Sequence, residues 1–272
     1  MKYLTRFMIA APRANSKPGV VWAPARGKTN PVKAKSRQVV TSQQGLHPRL
    51  VERVLRHMAA LHRRPVAKHN RDAFDTVVAA LQEAPRPLVL DSFCGTGHST
   101  AALARRHPGH LVVGIDKSAD RLARHPGEPG SNYLLLQADC EDIWQLLAAA
   151  GHRVDYHYLL YPNPWPKTKH LQRRIHAHAS FPLLLQLARG DAQAAPKATD
   201  SDTARGHIEL RSNWQLYVEE FGVAMHLAGA RGRVARVDAT EPMTLFERKY
   251  RDSGHELWAY RAAIARREQL EG

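Results

Sequence analysis

The chain has 272 residues, 43% of them hydrophobic, with a formal net charge of +15 and a pI near 10.2. That length and apolar content suit one α/β domain with additions, or two small domains, and exclude disorder throughout. The charge points to a polyanion, nucleic acid first and an anionic membrane surface second, and no run of 18 apolar residues suggests a transmembrane helix.

Residues 1–51 hold ten Lys/Arg and no acid. Residues 1–45 read as a disordered basic arm, with an organelle transit peptide or an overextended start as alternatives. Arg6 and Pro12 interrupt the first apolar patch too early for a secretory signal. Leu50, Val54, Met58 and Leu61 mark one face of a helix that ends before Pro65. Phe74, Val77, Val78 and Leu81 mark a second, ending before Pro85. These form an N-terminal helical extension, residues 46–86.

An alternating pattern follows over residues 87–272. Strands are expected at Leu88–Asp91, Leu111–Asp116, Tyr133–Leu136 and Val154–Tyr161. Helices between them pass through Leu103, a short segment after Asp116, and Ile143 to Leu147. A further helix carries Phe181, Leu184, Leu185 and Leu187. Residues 190–205 are a polar, flexible loop. Ile208–Leu210 resumes as strand, Trp214–Leu227 as helix, and two last strands fit Arg233–Val237 and Glu256–Ile264. This order predicts a parallel sheet with helices on both faces.

The chemistry concentrates in two places. Gly95-Thr96-Gly97 lies between a strand and a helix, where backbone can approach a ligand at a helix N-terminus. Asp91 precedes that loop, and Asp116 ends the next strand, where a carboxylate can accept from ribose hydroxyls. Thr100 stands where a dinucleotide fingerprint needs its third glycine, which favours S-adenosylmethionine over NAD. Asp139 follows the third strand and can face an adenine amine; a helix-capping role is the alternative for both Asp116 and Asp139.

The second place is Tyr158–Phe181. Its apolar start breaks at Pro162-Asn163-Pro164-Trp165-Pro166, because three prolines in five residues forbid strand or helix. An amide and an indole therefore sit on a rigid turn at a strand's C-terminal end. Lys167, Lys169, His170, Arg173 and Arg174 follow as a basic helix start. Trp165 is either a stacking surface for a base or a core indole. His170, His176 and His178 lack the Cys or acidic partners of a zinc set, so no metal is expected. Cys94 and Cys140 are far apart and suit a reduced, cytoplasmic setting.

DSFCGTGHST, GID, QAD, YPNPWPKTKHLQRR, LRSNW and TLFE occur in the order and spacing of TrmB-type tRNA (guanine-N7)-methyltransferases, which the chain resembles from Leu88 to Ala265. The resemblance implies a seven-stranded Rossmann-like methyltransferase sheet, S-adenosylmethionine as donor and a tRNA guanosine as acceptor. It places cofactor acids on Asp91, Asp116 and Asp139, a substrate-side lysine on Lys167, and the Thr-x-Phe-Glu segment on Thr244, Phe246 and Glu247. Two family carboxylates are amides here, Asn163 and Asn213. The reading is thus an RNA methyltransferase with Asn163 at the reaction centre. Trp165, Lys167, Arg173, Arg174 and Asn213 hold base or phosphate, and Thr244 and Glu247 close the pocket. The partner is RNA, specifically tRNA, with no membrane and a monomeric or homodimeric enzyme. The alternatives are methyl transfer to another nitrogen or a small molecule, or a catalytically quiet RNA-binding homologue.

Overall fold

A computed structural model describes residues 36–60, 62–127, 132–190 and 205–265. Leu61 and most of the expected 190–205 loop lie outside them, as do residues 1–35. Two helices come first, α1 (Leu50–Met58) and α2 (Lys68–Glu83). Four units then alternate: β1 (Leu88–Ser92), α3 (His98–Arg106), β2 (Leu111–Asp116), α4 (Ala119–Leu122), β3 (Tyr133–Gln137), α5 (Cys140–Ala149) and β4 (Tyr156–Leu160). The remainder is α6 (Phe181–Arg189), β5 (Arg205–Ser212), α7 (Gln215–Leu227), β6 (Gly232–Arg236), α8 (Leu245–Asp252) and β7 (Trp258–Ala265).

The seven strands form one sheet in the order β3-β2-β1-β4-β5-β7-β6. β1 to β5 pair in parallel, as the crossover helices require. β1 and β2 are buried along their whole length, which is why they read as unbroken apolar runs rather than alternating ones. Leu88 and Leu90 pack with residues of α1, α2, α5, α6 and α7 on one face, while Val89 and Val112 meet Leu103 and Ala104 of α3 on the other. Helices on both faces are therefore observed, with most of the apolar mass on one.

Three expectations need correction. The last strand departs from the parallel reading: β7 enters between β5 and β6 and runs antiparallel to both. The basic segment after the proline turn is not an α-helix but two 3-10 turns, Thr168–Arg173 and Ile175–Ala177. Pro166 precedes it and no 3.6-residue apolar stripe runs through it, so only short i→i+3 turns form.

The disorder expected to residue 45 does not extend over residues 36–45. Ser36 N–H donates to Ser253 Oγ at 2.9 Å, and Thr41 Oγ1 donates to the Pro166 carbonyl at 2.8 Å. Gln43 Nε2 donates to Glu220 Oε1 at 2.6 Å. This strap leads into α1, whose Leu50 and Val54 are buried in the main core. Among the described residues no helix is long and apolar enough to cross a membrane.

Candidate active site

A cleft of about 940 Å³ opens across the C-terminal ends of the parallel strands, where open α/β sheets bind ligands. Asp116, Asp139, Asn163, Trp165, Arg173 and Asn213 all line it. The two motif groups, separated in sequence, thus share one cavity.

On one side stands the glycine loop. Gly95 has φ 63° and Gly97 φ 75°, the left-handed conformation that glycine enters without a Cβ clash. Gly95 faces open space, whereas a Cβ on Gly97 would meet Leu135 at 2.8 Å. The Gly95 N–H donates to Asp116 Oδ2 at 3.0 Å, Ser118 N–H to Oδ1 at 2.8 Å, and Arg121 adds an ion pair at 3.2 Å. Asp116 therefore both organises the loop and shows a carboxylate to the cleft. Asp139 is the N-cap residue of α5, and its N–H donates to Asn70 Oδ1 of α2 at 3.1 Å. Beside it, burial raises the pKa of Glu141, another cleft residue.

Asp91 takes a different place. It is fully buried, and its Oδ2 accepts from Ser99 Oγ at 2.6 Å and Thr100 Oγ1 at 2.7 Å. It ties α3 to the end of β1 from beneath and is not among the cleft residues. Burial outweighs the two hydroxyl donors and the nearby Asp116 charge adds to it, so its pKa is pushed up to about 6.

On the other side stands the proline turn. Asn163 Oδ1 accepts from the Trp165 N–H at 3.2 Å, an Asx turn that folds the amide over the backbone. The Trp165 ring is half-buried, with the Arg173 guanidinium 4.6 Å from its centroid. Phe93, Tyr161 and Trp165 have φ of 63°, 55° and 47° and all line the cleft. Left-handed backbone costs a non-glycine residue roughly 1–3 kcal/mol, and such strain gathers at functional sites.

Four more expected site residues lie outside the cleft lining. Arg174 is fully buried: it donates to Glu220 Oε2 at 2.5 Å, Gln43 Oε1 at 3.0 Å and the Trp165 carbonyl at 3.3 Å. A guanidinium so committed cannot reach a phosphate; it braces the turn instead. Thr244 and Glu247 are a helix cap. Thr244 Oγ1 accepts from Glu247 N–H at 2.8 Å, while buried Glu247 accepts from Arg211 at 2.7 Å and from the Tyr161 hydroxyl at 3.0 Å. Burial, then the Glu247 charge and hydrogen bond, raise the Tyr161 phenol far above its ordinary pKa. Glu247 therefore acts behind the cleft wall by holding Tyr161. Lys167 is exposed at the turn's outer edge and does not line the cleft.

The cleft also has walls that the motif reading passed over. Arg53 and His57 project from α1 into it. Leu50 and Val54 anchor the helix, and Glu52 pairs with Arg49 and Arg56, leaving Arg53 on the cavity side. A helical-wheel reading would have found this offset of three residues from Leu50 to Arg53. Burial and the neighbouring Arg53 lower the pKa of His57. The cavity is thus acidic at Asp116, Asp139 and Glu141, and basic at Arg53 and Arg173.

Such a sheet, with a glycine loop after β1 and an acidic end of β2 across the cleft from the proline turn, defines a seven-stranded Rossmann-like methyltransferase domain. Residues 85–260 match the Methyltransf_4 family, described as "Putative methyltransferase", and the chain belongs to that family. A tRNA (guanine-N(7)-)-methyltransferase of Burkholderia vietnamiensis is 27% identical over 63% of this chain, and the match spans 65% of that protein's length. One of Thiobacillus denitrificans is also 27% identical, over 80% of this chain and 97% of its own. The solved 16S rRNA methyltransferase KamB superposes with a TM-score of 0.48 and 17% identity, covering 70% of this chain and 94% of that one.

Proposed function

We propose that the chain transfers the methyl group of S-adenosylmethionine to RNA, with N7 of a tRNA guanosine as the acceptor. The observation that carries this is the shared cleft: Asp116, which holds the Gly95 N–H, and Phe93 line the same cavity as Asn163 and Trp165. The donor set fits the cofactor. Asp116 would take ribose hydroxyls, the loop backbone the amino-acid end, and Asp139 the adenine amine. When bound, the cofactor supplies an electrophilic methyl on sulfonium. The names of the relatives support tRNA as substrate.

The chain's own contribution is positioning. Guanine N7 carries a lone pair and no proton, so no general base is required. In-line orientation can be worth up to roughly 7–11 kcal/mol in ideal cases. Trp165 offers a ring for stacking, worth about 1–3 kcal/mol per base. Its position is over-determined: Arg174 and Thr41 hold the carbonyls of Trp165 and Pro166 from behind. We place the reaction in the cytoplasm and without a metal, by a monomer or homodimer.

The test is nucleoside mass spectrometry of an unmodified tRNA transcript incubated with the purified chain and S-adenosylmethionine. N7-methylguanosine is expected. Methylation of another nitrogen moves the acceptor, and cofactor binding without any turnover would leave an RNA-binding homologue.

A further inference from the structure

Asn163 and Asn213 both line the cleft, and the structure orients them oppositely. This rests on the functional reading above. At Asn163, the Trp165 N–H at 3.2 Å can only donate, so the atom that meets it is Oδ1. The two N–H donors of Nδ2 are then the polar groups Asn163 offers to a ligand. At Asn213 the partner is His255. His255 Nε2 lies 2.9 Å from the Ser36 carbonyl, which only accepts, so Nε2 carries the proton. In the neutral ring Nδ1 is then an acceptor, and the Asn213 atom 3.0 Å away is the donor Nδ2. That leaves Asn213 offering its carbonyl oxygen.

We propose that Asn163 and Asn213 form a donor–acceptor pair reading the edge of guanine, with His255 as the positioning residue that fixes the second amide. Guanine presents an acceptor, O6, beside the donors N1–H and N2–H. A donor from Asn163 and an acceptor from Asn213 complement that pattern. Adenine presents an amine where guanine has O6 and an acceptor nitrogen where guanine has N1–H. It therefore opposes like group to like group at both positions, and a site built on hydrogen bonds rejects such a base strongly. The amides thus supply what two carboxylates cannot, because a carboxylate only accepts. The N-terminal strap takes part through the Ser36 carbonyl, which selects the His255 tautomer.

The experiment uses the full chain and tRNA transcripts carrying guanosine or adenosine at the nucleoside found to be methylated. Asn163→Asp replaces the exposed donor by an acceptor and should lower kcat/KM on guanosine about tenfold or more, reducing the guanosine-to-adenosine ratio. His255→Phe removes the acceptor for Nδ2, frees the Asn213 amide to turn, and should raise KM for guanosine RNA roughly five- to tenfold with a smaller change in kcat. His255→Gln, which both donates and accepts, should restore the ratio. Calorimetric S-adenosylmethionine binding by each variant reports an intact fold.

Normal cofactor binding with an unchanged base ratio in either Asn163→Asp or His255→Phe overturns the proposal. Should His255→Phe fail to bind cofactor, Asn163→Asp decides alone. The wild-type arm separates the two levels: guanosine methylated as before with indifferent variants sinks this pair only. A wild type that methylates adenosine, or no RNA at all, sinks the functional reading and the pair with it.

Discussion

Single residues divide into those that meet a ligand and those that hold the wall behind it. Asp116→Ala should weaken S-adenosylmethionine binding by more than tenfold, about 1.4 kcal/mol, because a charge-assisted acceptor is lost. Calorimetry measures this, and unchanged affinity would remove Asp116 from the site. Arg174→Ala should instead destabilise the fold by about 3–5 kcal/mol, since fully buried Glu220 would lose its guanidinium. Burial alone would raise the Glu220 pKa, but the His176 hydrogen bond and the Arg174 charge hold it down to about 2. Arg173→Ala, at an exposed position, should leave unfolding midpoints nearly unchanged. Asp91 has the opposite sign. Its carboxyl titrates near 3.8 when unfolded and about 6 when folded, so the native state binds more protons between those values. Stability should therefore fall as pH rises through that window, by roughly 3 kcal/mol at most, and Asp91→Asn should not show the fall. Denaturant midpoints from pH 4 to 7 test it. Nothing in RRIHAHAS told Arg173 from Arg174, because two adjacent arginines differ only in which way a 3-10 turn points them.

At the scale of elements, the strap is the part with the most leverage for its length. A chain starting at Ser36 keeps the Gln43 and Thr41 contacts, and one starting at Leu46 loses them. The shorter chain should unfold with about 1–3 kcal/mol less stability, because buried Glu220 and Arg174 each lose a partner. Equal thermal midpoints for the two would show that the strap is dispensable. Little in it reads as structure: Ser36 to Gln43 has no apolar period, only Val39 packs against the core, and the rest of its role comes from polar atoms meeting groups far along the chain. The central strands were legible because burial on both faces demands continuous apolar runs. α8 was not, since LFERKYRD buries only Glu247 and carries no apolar stripe. Its trace was the spacing of Thr244 and Glu247, a capping signature that the family resemblance drew toward the pocket.

For the whole molecule, charge and topology each have a consequence. RNA affinity should fall steeply with salt, and Arg53→Gln and Arg173→Gln should each flatten the logarithmic slope by about 0.7–0.9. Arg56→Gln, on the outer side of α1 beside Glu52, should leave the slope closer to wild type. Fluorescence anisotropy across a salt series separates these, and a slope indifferent to Arg53 would take α1 off the RNA path. The basic balance was plain from composition, but its placement on a cleft wall required the fold. The strand order carries a further implication for how the chain is made. Among the described residues β6 pairs with no strand but β7, and β7 comes last in sequence of the seven strands. While a ribosome is still reading residues 237–257, β6 has no ladder to join and β5 shows an open edge beside it. The parallel half, β1 to β4, can close early; the other edge waits for a single late segment to slide between two strands already made. Nascent chains stalled before Trp258 should therefore expose a sticky sheet edge and call on chaperones, whereas chains extended past Ala265 should not.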